Sequence, residues 1–130
     1  MKFITLFAAV LVLAGCLSTG KVDKDTLKFS TWQVYQVDGN NVQSLGATVR
    51  FIDALQVNGF SGCNRFFGEG KVTDGTLQVS NIGMTRKLCR GEFAKLESQL
   101  IKQLESGVKL ELDGEQLILV GNQRFTLVKK

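Results

Sequence analysis

The chain has 130 residues, of which 44% are hydrophobic and 22% are charged, a composition typical of one globular domain and not of a disordered segment. Its formal net charge is +4, but the basic residues are scattered and do not form the concentrated stripe that a nucleic-acid groove requires. The chain contains no histidine, which removes the usual catalytic base and the common zinc ligand sets. We therefore expect no nucleic-acid partner, no metal, no cofactor and no catalytic residues.

The N-terminus has the layout of a secretory signal peptide over residues 1–15. A single positive charge at Lys2 precedes an apolar run, Phe3–Leu13, which is followed by small residues. This run is shorter than the about 20 apolar residues that a membrane-spanning helix needs. The segment Leu13–Cys16 (LAGC) also looks like the lipobox of bacterial lipoproteins, whose cysteine becomes the lipid-modified first residue of the mature protein. A plain cleaved signal followed by a chance cysteine is the alternative.

Lipidation at Cys16 predicts that the mature chain is held to a membrane by its acyl chains. Two or more acyl chains hold a protein effectively permanently. Leu17 follows the cysteine in place of the Asp that favours retention at the inner membrane, so we expect an outer-membrane lipoprotein facing the periplasm if the host is Gram-negative. The polar residues that follow predict a tether. We therefore divide the chain into a signal peptide (1–15), a lipidated N-terminus with its tether (16–28), and one domain (29–130).

Two further cysteines, Cys63 and Cys89, form an even pair once Cys16 carries lipid. In an oxidising compartment such a pair favours a disulfide, which would close a loop of about 27 residues. Two free thiols are the alternative. A zinc site is excluded because two thiols without histidine do not supply a standard ligand set.

Short β-like segments separated by turn residues fill most of the domain. The first, Phe29–Val37, alternates so that Trp32, Val34 and Val37 are candidates for an inner face. Further strands are predicted at Thr48–Ile52, Leu55–Phe60, Phe66–Val72, Thr76–Val79, Asn81–Met84, Val108–Leu112, Gln116–Val120 and Arg124–Val128. The dipeptides at 74–75 and 113–114 are both Asp-Gly, which favours tight hairpins.

The segment Glu92–Glu105 departs from this pattern and predicts a helix of about four turns. Its apolar stripe consists of Phe93, Leu96, Leu100, Ile101 and Leu104. Gly107 suits the C-terminal cap. A stripe of this kind favours packing on the sheet, although a membrane-surface or partner-binding helix would show a similar one. About eight antiparallel strands and one helix predict a mainly β (α+β) fold, either a small barrel or a strongly curved sheet.

Four segments resemble the META domain family of the HslJ type, which comprises bacterial heat-inducible lipoproteins and their relatives. These segments are Thr31–Gln33, Asn58–Gly70, Asp74–Leu77 and Met84–Cys89. The residues matching the family motif are Trp32, Ser61, Gly62, Asn64, Arg65, Thr85 and Arg86. The resemblance covers Phe29–Val128. One departure is Lys87–Arg90, where family members often have small or sulfur-containing residues and a proline just after the cysteine.

The resemblance implies an antiparallel β fold with one helix, an envelope or secreted location, and no established catalytic residues. Family members are associated with stress response, virulence and drug tolerance, and some resemble pilot lipoproteins that guide secretin assembly. We therefore expect a monomeric binding module with a stress-response or envelope-maintenance role and an envelope protein as partner. The alternatives are a pilot-like assembly chaperone and a periplasmic inhibitor of a hydrolase such as lysozyme. Common animal lysozymes are strongly basic, and this chain is basic too, so electrostatic repulsion disfavours that last complex.

The residues themselves give little support to an enzyme. Ser61 has Asn64 where a Ser-x-x-Lys pair would have its lysine, and Gly70-Lys71 lacks the rest of a phosphate-binding loop. Four basic residues around the motif suggest a different chemistry, because their convergence beside the cysteines would hold a phosphate or carboxylate. These residues are Arg65, Arg86, Lys87 and Arg90. A dispersed, solvated set of charges is the alternative.

Overall fold

A computed structural model describes residues 21–130 of the chain. The signal peptide predicted over residues 1–15 and the lipidation site at Cys16 lie outside the described residues. The strands are β1 (Ser30–Val37), β2 (Asn40–Asn41), β3 (Thr48–Phe51), β4 (Gln56–Phe60), β5 (Arg65–Thr73), β6 (Thr76–Met84), β7 (Val108–Asp113), β8 (Gln116–Val120) and β9 (Arg124–Lys129). The helices are α1 (Lys24–Leu27) and α2 (Glu92–Ser106), with single 3-10 turns at Gln43–Leu45 and Asp53–Leu55.

Eight of the strands close into an antiparallel barrel. Their order is β1-β3-β4-β5-β6-β7-β8-β9, and β9 pairs back onto β1 from Trp32 opposite Lys129 to Val37 opposite Phe125. The short β2 pairs with β1 in a hairpin beside this ring. Closure gives every long strand a partner on both sides, although β6 meets β7 only at Thr76 and Leu77, and so shortens the exposed edges that an open sheet would present. The prediction of a small barrel with one main helix is confirmed.

Alternation along the strands places their apolar residues in the barrel interior. Trp32, Val34 and Val37 are buried as predicted, and a shift of register between Val34 and Gln36 keeps all three on the inner face. The predicted strand at Asn81–Met84 is the second half of the longer β6. Asn81 there has a positive φ of 52°, at an irregularity in the pairing of β5 with β6.

Gly59 shows why the β4–β5 segment is rich in glycine. A Cβ atom at this position would lie 2.1 Å from the carbonyl oxygen of Thr48 and 2.8 Å from the ring of Phe66. Only a residue without a side chain fits there, because backbone on the neighbouring strand occupies the space. The close approach of the β3 backbone therefore requires glycine at position 59.

Helix α2 packs its apolar stripe into one end of the barrel. Leu96, Leu100 and Leu104 are fully or almost fully buried, as predicted. Phe93 was also predicted to belong to this stripe, but that prediction is wrong because its side chain is 44% exposed. The helix makes its first buried contact only at Leu96, so Phe93 lies on the turn before the core begins. The helix ends at Ser106, and Gly107, with a φ of 94°, is its C-cap as predicted.

Folded structure begins before the boundary that we placed at residue 29. Helix α1 lies within the predicted tether, and both Val22 and Leu27 are buried in the core. The carboxylate of Asp23 caps this helix by accepting from the backbone N–H of Thr26 at 3.0 Å, and this hydrogen bond lowers the pKa of Asp23. Residues 22–28 therefore belong to the domain, because two apolar side chains among polar neighbours are enough to dock the segment.

The two ends of the barrel carry different parts of the sequence. At the entry end, β1 begins at Ser30, opposite Phe51 at the end of β3. At the other end, which we call the motif end, β4 finishes at Phe60 opposite Arg65, where β5 begins. None of the helices within residues 21–130 is long and apolar enough to cross a membrane.

Candidate functional site

The motif turn, Ser61–Asn64, connects β4 to β5 at the motif end. The backbone N–H of Ser61 donates to the carbonyl of Asn64 at 2.8 Å, and the Ser61 hydroxyl accepts from the N–H groups of Cys63 and Asn64 at 3.2 and 2.9 Å. Gly62 has a φ of 96°, a conformation that favours glycine. The SGCN sequence is therefore the sequence that this tight turn needs.

Asn64 uses the whole hydrogen-bonding capacity of its side chain although it is only 3% exposed. Its Oδ1 atom accepts from the Thr85 hydroxyl at 3.0 Å and from the Lys87 N–H at 2.7 Å. Its Nδ2 atom donates to the Lys87 carbonyl at 3.0 Å and to Oε2 of Glu97 at 3.0 Å. The side-chain amide thus pairs with both backbone groups of Lys87, as the peptide group of a neighbouring strand would.

Glu97, from helix α2, completes this network. Its Oε2 atom accepts from the Ser61 hydroxyl at 2.6 Å and from the backbone N–H of Asn64 at 3.1 Å, in addition to Nδ2 of Asn64. The carboxylate therefore ties the helix to the motif turn through charge-assisted hydrogen bonds. Sequence reasoning missed Glu97, because the helical pattern placed it on the polar face. The only available signal was its position one residue after the buried Leu96.

The segment Thr85–Arg90, which we call the basic loop, is fixed at three points. The Thr85 N–H donates to the Arg65 carbonyl at 3.0 Å, and Asn64 holds both backbone groups of Lys87. In the structure Cys89 forms a disulfide with Cys63, with their Cα atoms 6.1 Å apart. The motif residues Thr85 and Arg65 thus act partly through their backbones, and a loop without regular secondary structure is held firmly.

The outer side of the basic loop carries exposed side chains. Leu88 is 85% exposed, the largest exposed fraction among the exposed large apolar residues of the described chain. The four basic residues from the sequence analysis are all exposed at this end, namely Arg65, Arg86, Lys87 and Arg90. Within residues 21–130 the ion pairs are Lys28–Asp25 and Arg124–Glu111, so none of these four has a carboxylate within 4.0 Å. Their convergence on one anion stays a prediction.

Trp32 belongs to the motif by sequence but lies elsewhere in the fold. Its ring is buried in the barrel, and its Nε1 atom donates to the Ser30 hydroxyl at 2.7 Å. The same hydroxyl donates to the Leu27 carbonyl, which connects the tryptophan to helix α1. Trp32 therefore supports the entry end of the barrel, and its place in the motif reflects core packing.

Two shallow depressions also lie on the surface. One, of about 450 Å³, separates helix α2 from the β1–β2 hairpin, with Lys95 and Gln99 on the helix side. The other, of about 510 Å³, crosses the outer face of β3, β4 and β5 between Arg50 and Arg65. The exposed Phe67 borders it and covers Gly83, where a Cβ atom would lie 2.5 Å from the phenylalanine ring.

The chemistry of the motif is that of a structural joint. The Ser61 hydroxyl donates to Glu97, and the Glu97 carboxylate accepts from the motif turn at two nitrogen atoms. Nucleophilic catalysis needs a hydroxyl activated by a base that then releases the proton to the reaction. Here the Ser61 hydroxyl and the Glu97 carboxylate form the hydrogen bonds that hold the motif turn. What the joint presents to solvent is the basic loop.

The class of this protein is defined by two features. One is a small closed barrel with a helix over one end, and the other is a disulfide that joins the motif turn to a second loop. The family model described as the META domain matches residues 25–130. The chain is also 32% identical over 125 residues to Heat shock protein HslJ of Escherichia coli (strain K12), an alignment that covers 92% of this chain and 89% of that protein. The chain belongs to the META domain family, which confirms the resemblance seen in its sequence.

Solved structures share the fold. An NMR structure of a protein 29% identical to this chain has a TM-score of 0.73 and covers 82% of this chain and 94% of that one. An NMR structure of a protein from Burkholderia xenovorans has a TM-score of 0.69 at 19% identity, covering 98% of this chain and 99% of that one. A crystal structure of a duf4847 family protein from Bacteroides vulgatus has a TM-score of 0.60 at 12% identity, covering 81% and 95% of the two chains. The last two likenesses concern the fold alone.

Proposed function

We propose that this protein is an envelope lipoprotein whose META domain is a non-catalytic binding module with a role in stress response and in envelope maintenance or assembly. The leader with its lipobox at Cys16 supports the envelope location. The similarity to a protein named Heat shock protein HslJ supports the stress role. In a Gram-negative host, we expect the acyl chains to hold the protein on the outer membrane, with the barrel in the periplasm.

The binding role is supported by the hydrogen bonds of the motif residues, which hold the basic loop in place and leave its outer side chains free. Ser61, Asn64 and Glu97 direct their polar groups at backbone and at one another, and together they fix the basic loop. A network that is fully satisfied internally rigidifies its surroundings. The side chains left free by this arrangement are those that a partner protein would meet, which is the arrangement expected of a binding surface.

Crosslinking in intact cells tests this function. The full chain is crosslinked in its native membrane, recovered under denaturing conditions, and its adducts are identified by mass spectrometry. We expect one recurrent envelope protein that is absent from a Cys16→Ala control and is reduced by the charge reversal Arg86→Glu. A matched reversal at the remote, exposed Lys71 should leave the adduct unchanged. Adducts no different from those of the Cys16→Ala control would contradict the proposal.

The anchor itself is tested by labelling cells with radioactive palmitate. We expect the label to enter the wild-type protein and to be lost in the Cys16→Ala variant, because the thiol of the lipobox cysteine is the attachment point. The disulfide pair Cys63 and Cys89 supplies the control, since replacing both by serine should leave labelling intact. An unlabelled wild-type chain would reject the lipoprotein assignment.

A second candidate function, inhibition of a periplasmic hydrolase, is favoured by the firmly held basic loop. A loop fixed in advance loses little conformational freedom on binding, which suits an inhibitor. The assay measures lysozyme activity in the presence of the purified protein and of its Leu88→Ser variant. Inhibition by the wild type alone would favour this candidate. Unchanged lysozyme activity would reject lysozyme as the target, as the like charges of the two proteins lead us to expect.

A further inference from the structure

We propose that the basic loop docks onto an acidic, extended segment of a partner protein, with Leu88 as the apolar anchor of the contact. This inference rests on the proposed binding function and names its surface and the chemistry of its partner. It draws on four features of residues 85–90: their charge, the exposure of Leu88, their free backbone groups and their rigidity.

Charge complementarity selects an acidic partner. Arg86, Lys87 and Arg90 lie within five residues, and all three are exposed and have no carboxylate within 4.0 Å in the described part of the chain. Glu92 is the nearest acidic residue along the chain and also forms no ion pair there. The Glu97 carboxylate is already bonded to the motif turn. Unpaired cations that precede and follow one apolar residue along a short loop attract an acidic surface and repel a basic one.

The exposure of Leu88 indicates where the contact is centred. Its side chain is 85% exposed although the residues on either side of it, Lys87 and Cys89, are fixed by Asn64 and by the disulfide. A leucine displayed on a fixed loop, with Lys87 before it and Arg90 two residues after it, has the composition of an interface anchor with a polar rim. The barrel core does not use it.

The backbone of the loop selects a polypeptide over a lipid or a nucleic acid. The N–H and C=O groups of Lys87 both bond to Asn64. No hydrogen bond within residues 21–130 uses the backbone groups of Arg86 or Leu88. Both residues are exposed, so water and not protein surrounds these unbonded groups. They are free to pair with an added strand, which gives affinity through main-chain hydrogen bonds.

The position of the loop fits a protein partner better than the membrane on which the chain would be anchored. The loop follows the last residue of β6, a strand of nine residues, whereas Lys21, the first described residue, lies beside Gly75 in the turn that precedes β6: a Cβ atom at Gly75 would lie 4.0 Å from that of Lys21. Nine residues at about 3.3 Å each span about 30 Å. An anchor at Cys16 would therefore hold the basic loop on the side of the barrel away from the bilayer.

The experiment uses a displayed library of random linear peptides as the probe. The purified full chain in detergent is panned against the library, and the affinity of each selected peptide is measured for the wild type, for Leu88→Ser and for Arg86→Glu. Leu112→Ser is the matched control, because Leu112 is also exposed but lies at the end of β7. Thermal unfolding checks that each variant is folded, which we expect since both side chains lie outside the core.

We expect acidic peptides to be selected, with binding weakened at least about tenfold by Leu88→Ser and unchanged by Leu112→Ser. Binding should also weaken with added salt and in Arg86→Glu. Selection of neutral or basic peptides, or acidic peptides whose affinity ignores both loop variants, would overturn the proposal. So would equally loop-dependent binding to vesicles that contain phosphatidylglycerol, because the partner would then be a lipid surface.

The result separates this inference from the proposed function. Panning uses purified protein, so its outcome does not depend on lipidation or on an envelope role. If a recurrent envelope adduct persists in cells that carry Leu88→Ser, the binding module stands and the basic loop is not its docking surface. If acidic peptides bind through Leu88 but cells give no adduct, the loop is a docking surface and the envelope role is the part that fails.

Discussion

Replacing Asn64 by alanine is the sharpest test of the network at the motif end. The change removes the side-chain bonds to Lys87, Thr85 and Glu97 and leaves their groups short of a partner. A neutral hydrogen bond contributes about 0.5–1.5 kcal/mol net, and one to a charged group about 1.5–3 kcal/mol. The exposed Thr85 and Lys87 can recover partners from water, so the low end of each range applies. We expect the free energy of unfolding to fall by about 3 kcal/mol.

For a domain of this size, that loss lowers the Tm by about 12 °C. The measurement is thermal and urea unfolding followed by circular dichroism, with Asn58→Ala as the matched control. Asn58 lies on the outer face of β4, and no hydrogen bond of its side chain occurs within residues 21–130, so its loss should stay within about 0.5 kcal/mol. A loss at Asn64 below about 1 kcal/mol, or one equal to the loss at Asn58, would refute the view that the motif is a structural joint.

Three further changes test other parts of the fold. The double change Cys63→Ser with Cys89→Ser removes a crosslink between residues 26 apart in the sequence, and so removes its constraint on the unfolded chain. It should lower the free energy of unfolding by about 3.5 kcal/mol, and a reductant should have no further effect on the stability of this variant. Gln103→Met should raise it by about 1 kcal/mol in urea unfolding, because the buried Oε1 of Gln103 has no partner within the described residues; a loss instead would mean that the amide is satisfied. Phe93→Ser should cost about 1 kcal/mol because the side chain is only half-buried, whereas Leu100→Ala should cost about 3 kcal/mol; equal losses for the two would mean that Phe93 is a core residue.

The strands and their turns were accessible from the sequence because their signals are local. Alternation in β1 identified Trp32, Val34 and Val37 as core residues, and the Asp-Gly pair at 74–75 marked a hairpin whose two residues both have positive φ. The small barrel followed from counting short strands that must avoid open edges. These inferences depend on neighbours along the chain, and the sequence contains those neighbours.

The remaining features depend on contacts between distant residues. The stripe that includes Phe93 gives the apolar face of the helix but not the turn at which that face meets the core. Glu97 has the sequence setting of a solvated helix residue, and only its approach to the motif turn makes it part of the site. Helix α1 was missed because Val22 and Leu27 are too few to form a pattern, although the barrel buries both.

The pairing of β1 with β9 sets the order in which the molecule can form. The two strands that close the ring lie at opposite ends of the domain's sequence, so no closed barrel exists until the final strand, Arg124–Lys129, is available. Contacts of such long range make folding slow. Until closure, β1 and β8 each present an unpaired edge that another chain can occupy. A chain that lacks residues 124–130 should therefore tend to aggregate. Adding a peptide of that sequence should restore the folded barrel, and the structure regained would measure how much of the barrel forms only after β9 has paired.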